Sequence, residues 1–277
     1  MRGRLRHLLL GRTLLWQTAH CLKRLPETLS PAERDAAQKQ ASARLLRHLR
    51  VQLDTTGLEH IMDGPYLVVP LHEGIADVLC LAQLPLPLRF VARDEIFNWP
   101  HVGPAIRRLG HVSINPESGA RGYRELLRRA EGILKGGESL AMFPQGSLLG
   151  IETDFQRGAF VLARQLNVPL LPVVMTGAHR VWEHPFTPRL RYGVRVGMRV
   201  LPPTPAPDGH RYTPDELRLT LRQLMKRHAL DGSMPAPRRY RPERDGFWDG
   251  FRFDIDPDFP ELHHQIAERR RSHGPAA

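Results

Sequence analysis

At 277 residues, with 41% apolar and 25% charged residues, the chain is long enough to build a sizeable core, which excludes global disorder. No apolar run reaches the roughly 18 residues of a membrane-spanning helix, which excludes a conventional transmembrane segment. The net charge of +11 is unevenly placed: residues 1–50 hold eleven basic and three acidic residues, residues 238–277 hold eight of each, and the remaining stretch carries only +3.

The first 25 residues read as a basic amphipathic helix. Leu5, Leu8, Leu9, Leu15, Trp16, Ala19 and Leu22 recur at helical spacing, with Arg2, Arg6, Lys23 and Arg24 outside that stripe. Arg12 breaks the apolar run and no small-residue cleavage site follows, so a signal peptide fits poorly. Two readings stay open for this helix. It lies in an anionic membrane surface with Trp16 at the interface, or it packs on the protein core; its charge favours the first. Ser30-Pro31-Ala32-Glu33 is a capping box with proline at the first helical position, opening a second helix to about Leu49. Residues 1–50 are thus expected to form an amphipathic helical hairpin that meets the membrane.

From Val51 the pattern changes. Tyr66–Pro70, Arg89–Ala92, His111–Ile114, Leu140–Phe143 and Leu170–Met175 read as short buried strands. Ala76–Leu84, Gly122–Lys135 and Gly158–Leu166 read as the helices between them, and Asp215–Ala229 as a later helix. Strands alternating with helices predict an α/β fold: a single domain over 51–237 with a mostly parallel central sheet flanked by helices. Pro202–Pro207 reads as a connector. Residues 238–277 form a C-terminal strap and tail, with the aromatic stretch Phe247–Phe253 packed as extended chain. Cys21 and Cys80 sit in no metal-ligand spacing and suit a reducing, cytoplasmic setting.

Polar residues just past strand ends are where α/β sheets mount chemistry. His72 and Asp77 follow the strand Tyr66–Pro70 at the turn into a helix. Histidine takes a hydroxyl proton near neutral pH, and a carboxylate on its other ring nitrogen fixes the tautomer and steadies the imidazolium. The same spacing recurs at His210 and Asp215, but in a polar loop without a buried strand before it. There His210 reads as a surface residue and Asp215 as part of a first helical turn. Phe143-Pro144-Gln145-Gly146-Ser147 follows another buried strand, and its glycine would let backbone amides approach an oxyanion. His179, His184, His263 and His264 lack a pattern that specifies a metal and read as surface histidines. No Gly-x-Ser-x-Gly elbow and no Walker motif occur, and the basic arm carries no recognisable nucleic-acid module.

In order along the chain, four elements resemble the glycerol-phosphate and lysophospholipid acyltransferase family. His72 and Asp77 match its His-x4-Asp box, and Phe143–Ser147 resembles its Phe-Pro-Glu-Gly-Thr box. Phe155–Ala159 resembles its Phe-x-x-Gly-Ala segment, and Val168–Val173 its Val-Pro-x-x-Pro-Val strand. Arg93–Phe97 and Pro100–Gly103 resemble the link between its first two boxes. The resemblance covers about residues 50–200. It implies transfer of a fatty acyl group from an acyl thioester (acyl-CoA or acyl carrier protein) to a hydroxyl of a glycerolipid or lysophospholipid. Neither metal nor further cofactor is implied. His72 and Asp77 would be catalytic, and Phe143, Pro144, Gln145, Gly146, Ser147, Arg157 and Arg93 would bind substrate. The implied setting is peripheral, on the cytoplasmic face of the membrane, with anionic lipid rather than nucleic acid as the macromolecular partner.

Three departures bear on the acceptor. Pro116 and Leu148 stand where the family carries arginines that hold the acceptor's phosphate, and Gln145 replaces the box glutamate. Arg121, Arg157 and Arg180 are the available substitutes. The alternatives are therefore the same chemistry on a lipid without a phosphomonoester, such as a glycolipid, or a catalytically silent lipid-binding protein; retention of both His72 and Asp77 disfavours the latter.

Overall fold

The computed structural model of the protein describes residues 13, 16–26, 29–182, 190–207, 212–241 and 254–273. Among these, seven strands form one sheet: β1 (Gln52–Thr56), β2 (Leu67–Pro70), β3 (Leu88–Arg93), β4 (Val112–Ile114), β5 (Ser139–Ala141), β6 (Leu170–Thr176) and β7 (Arg195–Val200). Their order across the sheet is β1-β7-β6-β2-β5-β3-β4, and every neighbouring pair is parallel except β6 with β7. β2 and β6 are buried at every position, as expected of continuous apolar runs in a sheet covered on both faces. The fold class read from the sequence is the one observed.

The helices are α1 (residues 16–23), α2 (Pro31–His48), α3 (Ala76–Leu81), α4 (Asp94–Phe97), α5 (Val102–Arg108), α6 (Gly119–Lys135), α7 (Gly158–Leu166), α8 (Pro214–Leu230) and α9 (Pro260–His273). α2 begins at the Ser30/Glu33 capping box with Pro31 inside it, as the sequence predicts. Both helices of the arm are present over the described residues. Thr18 and Ala19 of α1 are buried, whereas Trp16 is 46% exposed, stacked on His20 and edge-on to His101. Residues 1–12, on which much of the amphipathic pattern rests, lie outside the described residues, as do His184, His210 and Phe247–Phe253.

α2 is tied to the rest of the fold by polar groups as well as by Leu46, which joins the main core. The fully buried Arg89 of β3 is ion-paired with Glu138, which also accepts from Arg34 of α2 at 3.2 Å. Arg89 donates to the carbonyl of Pro31 at 3.0 Å, and Gln38 donates to that of Leu88 at 3.0 Å. At the other end of the chain, Asp154 accepts Arg222 from α8, and Asp256 is ion-paired with Arg222 and accepts Lys226. This network fastens α8 to residues 254–256, whose Asp254 and Asp256 backbones bond Asp154 and Glu152.

Beside Arg89, His111 is buried and its Nδ1 accepts the Phe90 amide at 3.2 Å. Burial, with help from the Arg89 cation, pushes the ring down to about 3. The folded state therefore refuses a proton that the unfolded chain binds below about pH 6.5, so this ring stabilises the fold at neutral pH and loses that contribution as pH falls. Between those limits the slope is at most about 1.4 kcal/mol per pH unit. His111→Asn keeps an acceptor for Phe90 and removes the titration. Its melting temperature should decline less than the wild type's between pH 7 and pH 5; parallel declines would show that His111 is not the titrating group.

Candidate active site

The four central strands of the sheet deliver side chains to one edge. β6, β2, β5 and β3 run parallel, so their carboxyl ends lie side by side and feed His179, His72, Phe143–Ser147 and Arg93 in that spatial order.

The turn between β2 and α3 holds the histidine and the carboxylate. Asp77 is completely buried, and its Oδ2 meets His72 Nδ1 at 2.8 Å. The same oxygen accepts the amides of Glu73 at 2.6 Å and Gly74 at 2.9 Å, so the carboxylate is fixed by backbone before it fixes the ring. With Nδ1 engaged, Nε2 is the nitrogen left to take a proton, and the ring is only 17% exposed. Phe143 stacks on the imidazole with centroids 3.7 Å apart and planes 20° from parallel. The Phe143 ring thus orients the histidine.

The box after β5 behaves differently from the sequence expectation. β5 ends at Ala141, so Phe143 already belongs to the turn. Gln145 is buried, accepts the His72 amide at 2.7 Å through Oε1, and donates through Nε2 to the Gly150 carbonyl at 2.9 Å. Its side chain is spent on two backbone groups that need one acceptor and one donor. A carboxylate there would lack the donor. Gln145 is therefore matched to this loop, and its place is behind the histidine. The Gly146 amide donates to Phe143 O at 3.2 Å, closing the turn. Gly146 has φ +64°, with space around it, so the backbone conformation is what calls for glycine. Pro144 is buried and accepts the Gln156 amide at 2.6 Å; Ser147 Oγ accepts the Leu149 amide at 3.4 Å.

The two arginines stand further out. Arg93, at the end of β3, forks onto Glu95 at 3.0 and 3.1 Å. Arg157 precedes α7, is 63% exposed and pairs with Asp215 at 3.1 Å, in the first turn of α8. Arg121 and Arg180 are exposed.

Sequence reasoning missed Glu73 and misplaced His179. The ring of His179 is largely buried, with Nδ1 3.0 Å from Glu73 Oε2, while His263 and His264 are indeed on the surface. Glu73 Oε1 accepts the Arg238 amide at 2.8 Å. Burial pushes the Glu73 carboxyl up and the Asp77 charge adds to that, against the pull of His179 and the Arg238 amide. Gly74 packs so closely on this element that a Cβ would sit 3.2 Å from His179 Cα. The one signal in the sequence was position: Glu73 directly follows His72.

A histidine–carboxylate pair at the carboxyl edge of a mostly parallel sheet is the arrangement the four motifs implied, and residues 52–176 match the family model described as Acyltransferase. That stretch, somewhat under half of the chain, is similar to the Acyltransferase family. The chain is 30% identical over 132 residues to a chloroplastic 1-acyl-sn-glycerol-3-phosphate acyltransferase, BAT2, of Brassica napus, a match covering 46% of this chain and 38% of that one. It is 28% identical over 204 residues to the alpha form of 1-acyl-sn-glycerol-3-phosphate acyltransferase from Bos taurus, covering 68% and 69%. Its fold is similar to the crystal structure of the 1-acyl-sn-glycerophosphate (LPA) acyltransferase PlsC from Thermotoga maritima. The TM-score is 0.67 at 20% identity, over 82% of this chain and 96% of that one. The chain thus spans less than two fifths of the length of the Brassica relative.

Proposed function

We propose that this protein is an O-acyltransferase moving a fatty acyl group from an acyl thioester to a hydroxyl of a glycerolipid or lysophospholipid. The observation that supports it most directly is the buried Asp77 aligning His72, inside a stretch similar to the Acyltransferase family. In this reading His72 Nε2 takes the acceptor hydroxyl proton as the oxygen attacks the thioester carbonyl. The C–O bond forms, the C–S bond breaks, and the proton passes from the imidazolium to the departing thiolate. No covalent acyl-enzyme is needed. Holding both substrates at the sheet edge supplies much of the acceleration.

The acceptor we propose lacks a phosphomonoester. Leu148 and Pro116 donate no charge, Gln145 is engaged with backbone, and Arg157 is held by Asp215. A hydrogen bond to a charged group is worth roughly 1.5–3 kcal/mol, so two missing ones should lower use of lysophosphatidic acid by about a hundredfold or more. Labelled acyl-CoA and acyl carrier protein, offered with lysophosphatidic acid or with monoacylglycerol and glycolipid acceptors at matched vesicle loading, test donor and acceptor together. Efficient use of lysophosphatidic acid would overturn the acceptor reading and direct mutagenesis to Arg121, Arg157 and Arg180. No transfer to any acceptor would leave the lipid-binding alternative.

The basic arm and the exposed Trp16 and Trp99 favour peripheral binding to an anionic surface, such as the cytoplasmic leaflet. Deleting residues 1–25 should weaken sedimentation with anionic vesicles and flatten its salt dependence. Equal sedimentation at every salt concentration would refute the arm as anchor.

A further inference from the structure

The hydrogen bonds around His72 form a closed ring that runs through the C-terminal segment. The His72 amide donates to Gln145, whose side-chain amide donates to the Gly150 carbonyl. The loop around Gly150 is bonded to Arg238: the Ile151 amide donates to Arg238 O at 3.0 Å, and Arg238 Nε donates to Leu149 O at 2.8 Å. The Arg238 amide donates to Glu73, the Glu73 amide donates to Asp77 Oδ2, and that oxygen holds His72 Nδ1. Glu152 clamps the next two residues, accepting the Tyr240 amide at 2.9 Å and pairing with Arg239.

We propose that Glu73 and the strap residues Arg238, Arg239 and Tyr240 are positioning residues for His72, so that transfer depends on the seating of a segment far outside residues 52–176. Chemistry supports a functional reason for the arrangement. Burying Glu73 next to the buried Asp77 carboxylate is expensive, and a turn that needed only packing would be better served by an apolar residue. Glu73 instead grips two elements at once, His179 after β6 and the strap, and passes their position to Asp77 through its own backbone amide. A displacement of about 1 Å in a reacting group is enough to slow catalysis by about a hundredfold.

This inference rests on His72 being the base, and the test keeps the two apart. Glu73→Ala in the full chain should lower kcat by about ten- to a hundredfold with KM for donor and acceptor nearly unchanged. Glu73→Gln, which retains an acceptor for the Arg238 amide, should recover most of that loss. Combining Glu73→Ala with Asp77→Ala should cost far less than the product of the single effects, because without the Asp77 carboxylate the position of the Glu73 amide no longer reaches His72. Glu152→Gln loosens the strap without touching the ring around His72, and it stands in if Glu73→Ala fails to fold; its kcat should fall severalfold and couple to Asp77→Ala in the same way. Wild-type kcat in the folded Glu73 and Glu152 variants, or losses that simply multiply with Asp77→Ala, would overturn the positioning role while a dead His72→Ala upheld the base. An active His72→Ala would instead remove the base reading itself.

Discussion

His72→Ala is expected to slow acyl transfer by about a thousandfold, and Asp77→Asn by only about ten- to a hundredfold. The difference follows from the hydrogen bonds on one oxygen. In triads where an asparagine replaces the orienting carboxylate, its NH2 turns towards the histidine, traps the wrong tautomer and removes about four orders of magnitude. Here the Oδ2 position also receives the amides of Glu73 and Gly74, and both demand an acceptor. The carbonyl oxygen of the introduced asparagine must therefore sit where Oδ2 sits, which keeps Nδ1 protonated and Nε2 free. Its NH2 falls at the place of Oδ1, a buried atom without a hydrogen-bond partner in the wild type. What is lost is the charge that steadies the imidazolium. Steady-state kcat for the two variants, with circular dichroism to confirm folding, decides the matter. An Asp77→Asn variant as inactive as His72→Ala would mean that the amides do not hold the orientation.

That distinction was beyond the sequence. The His-x4-Asp spacing and its place after a buried strand identified the pair, because a parallel strand ending in a turn is a local event written in neighbouring residues. The central strands were legible for the same reason, being continuous apolar runs. β1 and β7 were missed. Gln52–Thr56 is half exposed along its length, and Arg195–Val200 carries two arginines and a glycine, so neither shows a buried strand's composition. The parts of the site that hold the dyad in place lie far apart in the chain: Glu73 meets His179 across 106 positions and Arg238 across 165. Gln145 looked like a weakened substrate contact because a glutamate is usual there. Only the direction of its carboxamide, towards His72 and Gly150, shows it as a brace. His179 looked like a surface histidine because nothing near it in sequence predicts a carboxylate partner.

Glu138→Ala should destabilise the fold by about 3–5 kcal/mol, a large fraction of the roughly 5–15 kcal/mol that holds a domain together. Arg89 is fully buried, and burial pulls its pKa down while Glu138 pulls it back up. A guanidinium does not shed its proton even so, and removing Glu138 strands a cation in the core. Arg34 loses its carboxylate partner at the same time and keeps the Leu29 carbonyl, which loosens α2 from the sheet. In urea the midpoint should fall with the m-value unchanged, the mark of lost stability rather than an altered unfolded state. The double variant Arg89→Met/Glu138→Leu is the control. Removing both charges usually offsets most of the penalty, since apolar residues of similar volume pack well in place of a buried pair. The recovery should be partial here, because Arg89 also serves the carbonyls of Pro31 and Leu88, and those acceptors would be left without it. A Glu138→Ala protein with an unmoved midpoint would show that water reaches Arg89, and that α2 is held by its apolar face alone.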